Sequence, residues 1–260
     1  EKAPRSWQNT LMLRNRTGEN GQLKVFYTND LSSMSIRQPS FMDVGDTLHV
    51  ALDNTYHLVN ASYKNRLNDR WKIYSGVSGT WVNNEGDMTL FRTSDRTNML
   101  HWKSWAYYDT GGKTGIKFGT DQYLFRHKAG FDFPGDSLRA NISSPGQMPF
   151  ETTGTDSLRS ANSNTGDLLF NNAWADWLPS VFLEADIDIT DKLIARAGLR
   201  TEYSTLSRQP SVSPRLSLAY RTGDHSQLSL ASGWYTQRPQ REYLAVNERL
   251  IDEKALHAIL

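Results

Sequence analysis

The sequence contains no cysteine, which excludes a disulfide framework and any chemistry based on a thiol. It also lacks a run of about 18 consecutive apolar residues, so no segment is predicted to be a membrane-spanning helix. The 29 basic and 28 acidic residues nearly cancel, which gives no preference for nucleic acid or another partner of one charge. Membrane-spanning strands stay open, because each needs only about 9–11 residues, half of them apolar.

What the sequence does contain is a repeated alternation between apolar and polar side chains. In residues 70–81, Val77 and Trp81 share one side while Lys72 occupies the other. Because side chains along a β-strand point to alternate faces, each such stretch predicts a strand with one apolar and one polar face. The predicted strands are residues 7–15, 22–28, 55–64, 70–81, 99–108, 115–125, 181–189, 193–203, 215–221 and 227–234, with an eleventh at 253–260.

The connections between these strands are alternately short and long. The short ones are rich in Gly, Asn and Asp, as tight hairpin turns require; they are residues 16–21, 65–69, 109–114, 190–191 and 222–225. The long ones are polar and are predicted to be loops; they are residues 29–54, 82–98, 126–178, 204–213 and 236–252.

This rhythm favours a transmembrane β-barrel, in which short turns face the periplasm and long loops face the outside. A soluble β-sandwich also alternates along its strands and is the alternative fold. We predict an all-β, antiparallel, up-and-down transmembrane β-barrel, with one partial barrel domain over residues 1–260. The last stretch has no predicted partner strand, so we expect a piece of a larger barrel.

Several short patterns occur in a characteristic order near the end of the sequence. They are residues 198–203 (GLRTEY), 213–220 (SPRLSLAY) and 226–233 (SQLSLASG), followed by Arg238-Pro239 and Tyr243-Leu244. This series resembles the middle of the barrel of TonB-dependent outer-membrane receptors. The resemblance implies a barrel of about 22 strands with a plugged lumen, of which this chain supplies about half.

The resemblance also implies a function and partners. It implies uptake of a nutrient, such as a siderophore, haem or a glycan, across the outer membrane of a Gram-negative bacterium. The expected partners are outer-membrane lipid, a small-molecule or glycan ligand, and the inner-membrane TonB transducer, which acts through a plug not seen in this chain. No cofactor and no nucleic acid are expected.

Two other functions remain open at this stage: a porin-like or adhesin-like barrel, and a barrel hydrolase. Residues 135–138 (GDSL) spell a hydrolase nucleophile motif, but they lie in the longest predicted loop and a near copy follows at residues 155–158. We interpret both as polar turns and predict no enzyme. The six histidines show no metal-ligand spacing, so no metal site is predicted.

Two sets of residues are candidates for function. The first is the charge predicted to point into the lumen, where most of it is expected to pair with a plug and with water; it comprises Arg196, Arg200, Glu202, Arg215 and Arg221. The second is a group of aromatic residues in the segment 126–178, whose flat surfaces suit a ligand or the packing of a long loop; these candidate substrate-contacting residues are Phe131, Phe133, Phe150, Trp174 and Trp177.

Overall fold

The computed structural model describes residues 2–39, 47–89, 91–133, 168–223, 226–247 and 249–260. These residues form one antiparallel sheet of eleven strands, in which each strand pairs with its neighbours in sequence. The strands are β1 (Lys2–Thr17), β2 (Gly21–Pro39), β3 (Thr47–Arg66), β4 (Trp71–Met88), β5 (Phe91–Asp109), β6 (Thr114–Phe133), β7 (Leu168–Asp188), β8 (Leu193–Tyr203), β9 (Pro210–Arg221), β10 (Gln227–Gln237) and β11 (Glu253–Ile259). The predicted all-β, up-and-down fold and its eleven strands are confirmed.

One short helix, α1 (Arg241–Val246), interrupts the connection between β10 and β11. Within the described part of the chain, no helix has the length and apolar character needed to cross a membrane.

One end of the sheet carries tight turns, as predicted. In the turn between β3 and β4, the side-chain oxygen of Asn68 accepts hydrogen bonds from the backbone N–H groups of Arg70 and Trp71, each 2.9 Å long. Gly18 and Gly111 adopt positive φ angles of 68° and 79° in two other turns, a conformation that glycine takes without steric cost. These local bonds fix the short-turn end of the sheet.

The opposite end differs from the predicted loops, because the strands continue far into them. β2 and β3 pair as far as Pro39 and Thr47, and β4 and β5 pair as far as Met88 and Phe91. Much of the segments 29–54, 82–98 and 126–178, predicted as loops, is therefore strand. Residues 40–46 and 134–167, which include the motif at 135–138, lie outside the described residues.

Polar pairs across neighbouring strands explain why these extensions were predicted wrongly. Arg96 reaches Glu85 at 3.1 Å and Asn83 at 2.9 Å, and Arg92 reaches Asp87 at 3.4 Å. Hydrogen bonds from Asn83 and Arg96 lower the pKa of the Glu85 carboxyl. A strand in water needs no apolar face, so its sequence lacks the alternation that marks a membrane-spanning strand.

The two faces of the sheet differ sharply in chemistry. The outer face presents large hydrophobic side chains to the surroundings, among them Leu11, Val59, Val77, Leu100, Trp102, Phe118, Val181, Leu183, Leu199, Leu216, Leu230 and Trp234. The only hydrophobic side chains buried within the described ranges are Leu178, Ala195 and Leu244. A soluble sandwich would cover its apolar face with a second sheet, whereas the described residues form a single sheet. The exposed apolar face is what a sheet bordering lipid requires.

Aromatic residues mark two levels on the outer face. Near the short turns, Trp71 packs against Tyr108 with ring centroids 4.7 Å apart and against Phe118 at 6.4 Å. Trp81 lies ten residues further along β4 and is also exposed. Ten residues of a strand span about 33 Å, which a tilt of about 40° reduces to the roughly 25 Å height of a barrel's apolar band. Residues 71–81 of β4 therefore match one membrane crossing.

The sheet has two free edges among the strands that the structure describes, because β1 and β11 do not pair with each other. Unpaired N–H and C=O groups are costly in lipid. The described strands thus form an open sheet, which is consistent with part of a barrel.

Candidate functional site on the inner face

The inner face, opposite the exposed hydrophobic side chains, carries a row of ring-bearing residues along β6. Asp121 lies near the middle of β6, and Tyr123, Phe125 and His127 follow it at alternate positions. Alternate residues of a strand share a face, so these four side chains form a line that runs from the middle of the sheet toward its external end.

Asp121 is the centre of a polar cluster. Its side chain is almost completely buried; one carboxylate oxygen lies 2.6 Å from Nε2 of His101, and the other lies 3.2 Å from Arg200 and 3.7 Å from Lys103. The hydroxyl of Ser180 donates to the backbone oxygen of Asp121 at 2.8 Å. A buried carboxylate requires such compensation, because its desolvation is costly. The cluster thus joins β5, β6, β7 and β8.

The cluster continues toward the external end through Arg200. Arg200 donates to Glu202 at 3.2 Å, and Glu202 lies 2.9 Å from Arg238. These contacts pair the charges of Arg200 and Glu202 with other residues of the same chain.

The other predicted inward charges lie on the same face. Arg196 donates to Asp186 at 3.2 Å, and the guanidinium of Arg215 lies 5.1 Å from the ring centre of Tyr235. Arg221 lies at the short-turn end, where its cross-strand backbone partner on β10 is Gln227. These residues are spread along β8 and β9 and do not form one cluster.

A shallow cavity of about 170 Å³ opens beside Arg200 on this face. Four basic side chains line it: Lys103, Lys117, Arg200 and Arg215. The lining contains one carboxylate, that of Glu184, which lies 3.4 Å from Lys117. This excess of cations favours anionic groups. Across the described ranges, no group of three or more His, Asp or Glu side chains is arranged to hold a metal ion.

The rings along β6 form a continuous stack. His101 stacks on Tyr123 with centroids 4.0 Å apart and planes within 3°, and Tyr123 stacks on Phe125 at 5.8 Å. The guanidinium of Arg241 lies over the ring of Phe125, 3.6 Å from its centre.

Arg241 belongs to the connection between β10 and β11, residues 238–252, which we call the strap. The strap lies against the inner face: Leu244 of α1 is 1% exposed, and the Gln209 side chain donates to the backbone oxygen of Leu250 at 3.1 Å. Nε of Arg241 lies 3.3 Å from Asp176.

Asp176 of β7 also has hydrogen-bond partners outside the strap. Its side chain is 1% exposed, and one carboxylate oxygen accepts hydrogen bonds from the hydroxyl of Ser204 at 2.8 Å and the backbone N–H of Leu206 at 3.2 Å. The other oxygen faces Arg241. Neither Asp176 nor Arg241 was among the predicted site residues; the available signal was the inward position of Asp176, which has the same parity along β7 as Glu184 and Asp186.

The base of the strap is less completely bonded. Nε of Arg238 lies 3.6 Å from Asp252, yet neither its guanidinium nitrogens nor Oδ1 of Asp252 makes a well-directed hydrogen bond to a residue in the described ranges. Burial raises the pKa of the Asp252 carboxyl, and the nearby Arg238 opposes that shift. The base of the strap is therefore anchored by the proximity of Arg238 to Glu202 and Asp252, whereas Arg241 and Leu250 make directed hydrogen bonds.

The predicted aromatic residues fall into different places. Phe131 stacks on Phe91 with centroids 5.1 Å apart, and Trp174 stacks on His127 at 5.1 Å, both on the inner face. Phe133 is the last residue of β6, and Phe150 lies outside the described residues. Trp177 lies on the outer face, half exposed, where its indole N–H donates to Gln122. Of the five, Phe131 and Trp174 share the inner face with the β6 stack.

This architecture is that of a transmembrane β-barrel wall, and comparison with solved structures agrees. The ferric preacinetobactin receptor BauA of Acinetobacter baumannii, a TonB-dependent receptor, matches with a TM-score of 0.50 and 14% identity, over 91% of this chain and 41% of BauA. The RagAB peptide importer in its open-open state matches with a TM-score of 0.57 and 9% identity, over 98% of this chain and 35% of that one. The chain thus spans less than half the length of either protein.

No family model and no curated protein matches the sequence. The resemblance to TonB-dependent receptors is confirmed at the level of the fold.

Proposed function

We propose that this chain forms part of the barrel of an outer-membrane receptor of the TonB-dependent type, which takes up a nutrient such as a siderophore, haem or a glycan. The observation that carries the proposal is the division of one sheet into an exposed apolar face and a polar, ring-lined inner face. A water-soluble protein would not leave such a face uncovered, and a lipid-facing wall requires it.

The faces suggest which partner meets which surface. Outer-membrane lipid borders the outer face, while the ligand and a plug meet the inner face. In this proposal the TonB transducer acts through that plug. Residues 1–260 act in this proposal as one partial barrel domain, and the lumen-facing charges Arg196, Arg200, Glu202, Arg215 and Arg221 mainly order the wall.

The matched structures support a small ligand and a transport role. One is named as a receptor for ferric preacinetobactin and the other as a peptide importer. Neither name describes an enzyme, and the proposal includes no catalytic step.

Surface labelling of intact cells tests the location and topology. The chain has no native cysteine, so single cysteines can be placed at Arg208, in the exposed connection between β8 and β9, and at Glu19, in the turn between β1 and β2. A membrane-impermeant maleimide should label Arg208→Cys in intact cells and Glu19→Cys only after the outer membrane is permeabilised. Labelling of Glu19→Cys alone in intact cells would show that the topology is the reverse of the proposed one. Labelling of both variants in intact cells would contradict the proposed location in the outer membrane.

Conductance separates a plugged receptor from the porin-like alternative. The purified full-length protein, inserted in a planar bilayer with potassium chloride on both sides, should show no steady current, because a plug fills the lumen. Steady single-channel conductance would favour a porin-like barrel.

A further inference from the structure

We propose that the strap covers a ligand subsite formed by Phe125 and Asp176, and that this subsite takes a guanidinium group, such as the arginine side chain of a peptide. In this proposal Arg241 occupies the subsite in the free protein and the ligand displaces it. The inference rests on the proposed receptor function and names a ligand class for it.

The first observation is that the subsite is built by the wall and not by the strap. Asp176 is fixed from behind by Ser204 and Leu206, through one carboxylate oxygen. The second oxygen points to the position that Arg241 occupies. Two of the hydrogen bonds that orient the Asp176 carboxylate therefore do not depend on Arg241.

The second observation concerns the chemistry that this position accepts. A flat cation at 3.6 Å from the centre of Phe125 gains a cation–π contact, and the same group reaches Asp176 at 3.3 Å. An uncharged sugar or apolar group could cover Phe125, but it would leave a carboxylate that is 1% exposed without its cationic partner. The arrangement therefore selects a planar cation.

The third observation is that the strap can be displaced. Its helix α1 has six residues and no side-chain hydrogen bond at its N-terminal cap. Its base residue Arg238 lies 2.9 Å from Glu202 and 3.6 Å from Asp252, but none of its guanidinium nitrogens makes a well-directed hydrogen bond to a described residue. Segments held by few bonds are the ones that open most readily.

The fourth observation is that the subsite has flat surface beside it. Tyr123 lies 5.8 Å from Phe125 along β6, and Trp174 and His127 stack on each other further toward the external end. Rings on either side of Phe125 can contact the residues that flank an arginine in a short peptide. The subsite thus suits an arginine within a chain.

Binding of a defined peptide to the purified full-length protein in detergent tests this proposal. The probe is a fluorescein-labelled Gly-Arg-Gly tripeptide, with Gly-citrulline-Gly as its uncharged counterpart of the same shape, measured by fluorescence anisotropy. If Arg241 fills the subsite in about nine molecules of ten, Arg241→Ala should tighten the apparent Kd of the arginine peptide about tenfold.

Three controls make the result specific. Arg249→Ala, at an exposed strap residue, should leave the Kd unchanged. Arg241→Lys, which keeps a cation at the subsite, should tighten binding less than Arg241→Ala does. The double variant Arg241→Ala/Asp176→Asn should lose the gain.

Two results overturn the proposal: an unchanged Kd for Arg241→Ala, or equal affinity for the citrulline peptide. The assay needs neither a membrane nor transport. If the protein binds the arginine peptide specifically but fails the surface-labelling test, the subsite is supported and the receptor function is rejected. If it passes the surface-labelling test but does not bind the arginine peptide specifically, only the subsite is rejected.

Discussion

Leu199→Arg should lower the free energy of unfolding of the full-length protein in lipid vesicles by about 2–4 kcal/mol, the cost of an arginine on the lipid face near the bilayer midplane. Leu199 lies in the middle of β8 and is 47% exposed on the outer face. Its neighbours across the strands are Leu183 and Pro214, so no polar group is opposite to receive the charge. Urea titration followed by tryptophan fluorescence measures the change.

A matched pair in β10 controls for the substitution itself. Leu230 is exposed on the outer face, and Ala231, the next residue, points inward opposite Ser217. Leu230→Arg should destabilise the protein, whereas Ala231→Arg should leave its stability nearly unchanged. Equal losses at both positions would show that β10 has no lipid-facing side.

Arg200→Leu is not a neutral control for Leu199→Arg. Inward positions are in general expected to tune function more than stability. Arg200, however, bonds to the buried Asp121 and to Glu202, so its loss also weakens the wall.

Asp121→Asn should cost about 1–3 kcal/mol of stability, the usual penalty for removing one partner from a buried, hydrogen-bonded polar group. The variant keeps the shape of the side chain but removes the charge that faces His101, Lys103 and Arg200. Those three side chains are 24%, 40% and 29% exposed. Water can therefore solvate them in part, which keeps the loss below that of a fully buried ion pair.

Glu85→Gln is the control for Asp121→Asn. It removes a carboxylate from an ion pair with Arg96 in the solvent-exposed extension of β4, and such pairs contribute little. Its unfolding midpoint should match the parent protein within error. If Asp121→Asn and Arg200→Leu prove additive in a double-mutant cycle, the two residues do not act as one cluster.

The alternating parts of the strands and their two faces could be predicted from sequence because both are local properties. Leu199 and Arg200 are adjacent, and the pleat of a strand sends them to opposite sides whatever the rest of the chain does. The eleven strands follow from this period of two.

The external strand extensions could not be predicted in the same way. Residues 83–87 carry no apolar side chain on either side, and only their partners Arg92 and Arg96 on the next strand show that the segment stays extended. Their pairing depends on register, which the period of two does not determine.

The candidate site depends on contacts between residues far apart in sequence. Asp121 and Arg200 are separated by 79 residues, and Asp176 and Arg241 by 65. The inward direction of Asp121 and Arg200 was predictable, but their meeting required the registers of β6, β7 and β8. The inward position of the strap follows no periodic pattern, since a short helix with one buried leucine gives no clear signal.

Fluorescence quenching by brominated lipid measures most directly whether the outer face borders a bilayer. Single cysteines at Leu183 and Glu184, adjacent in β7, carry the same environment-sensitive fluorophore, and residues 1–260 have no cysteine of their own. Leu183 is 53% exposed on the outer face, and Glu184 faces Lys117 on the inner side. In vesicles of brominated lipid, the label at position 183 should be strongly quenched and the label at 184 should not. Equal quenching at both positions, or stronger quenching at 184, would contradict a lipid-facing outer wall.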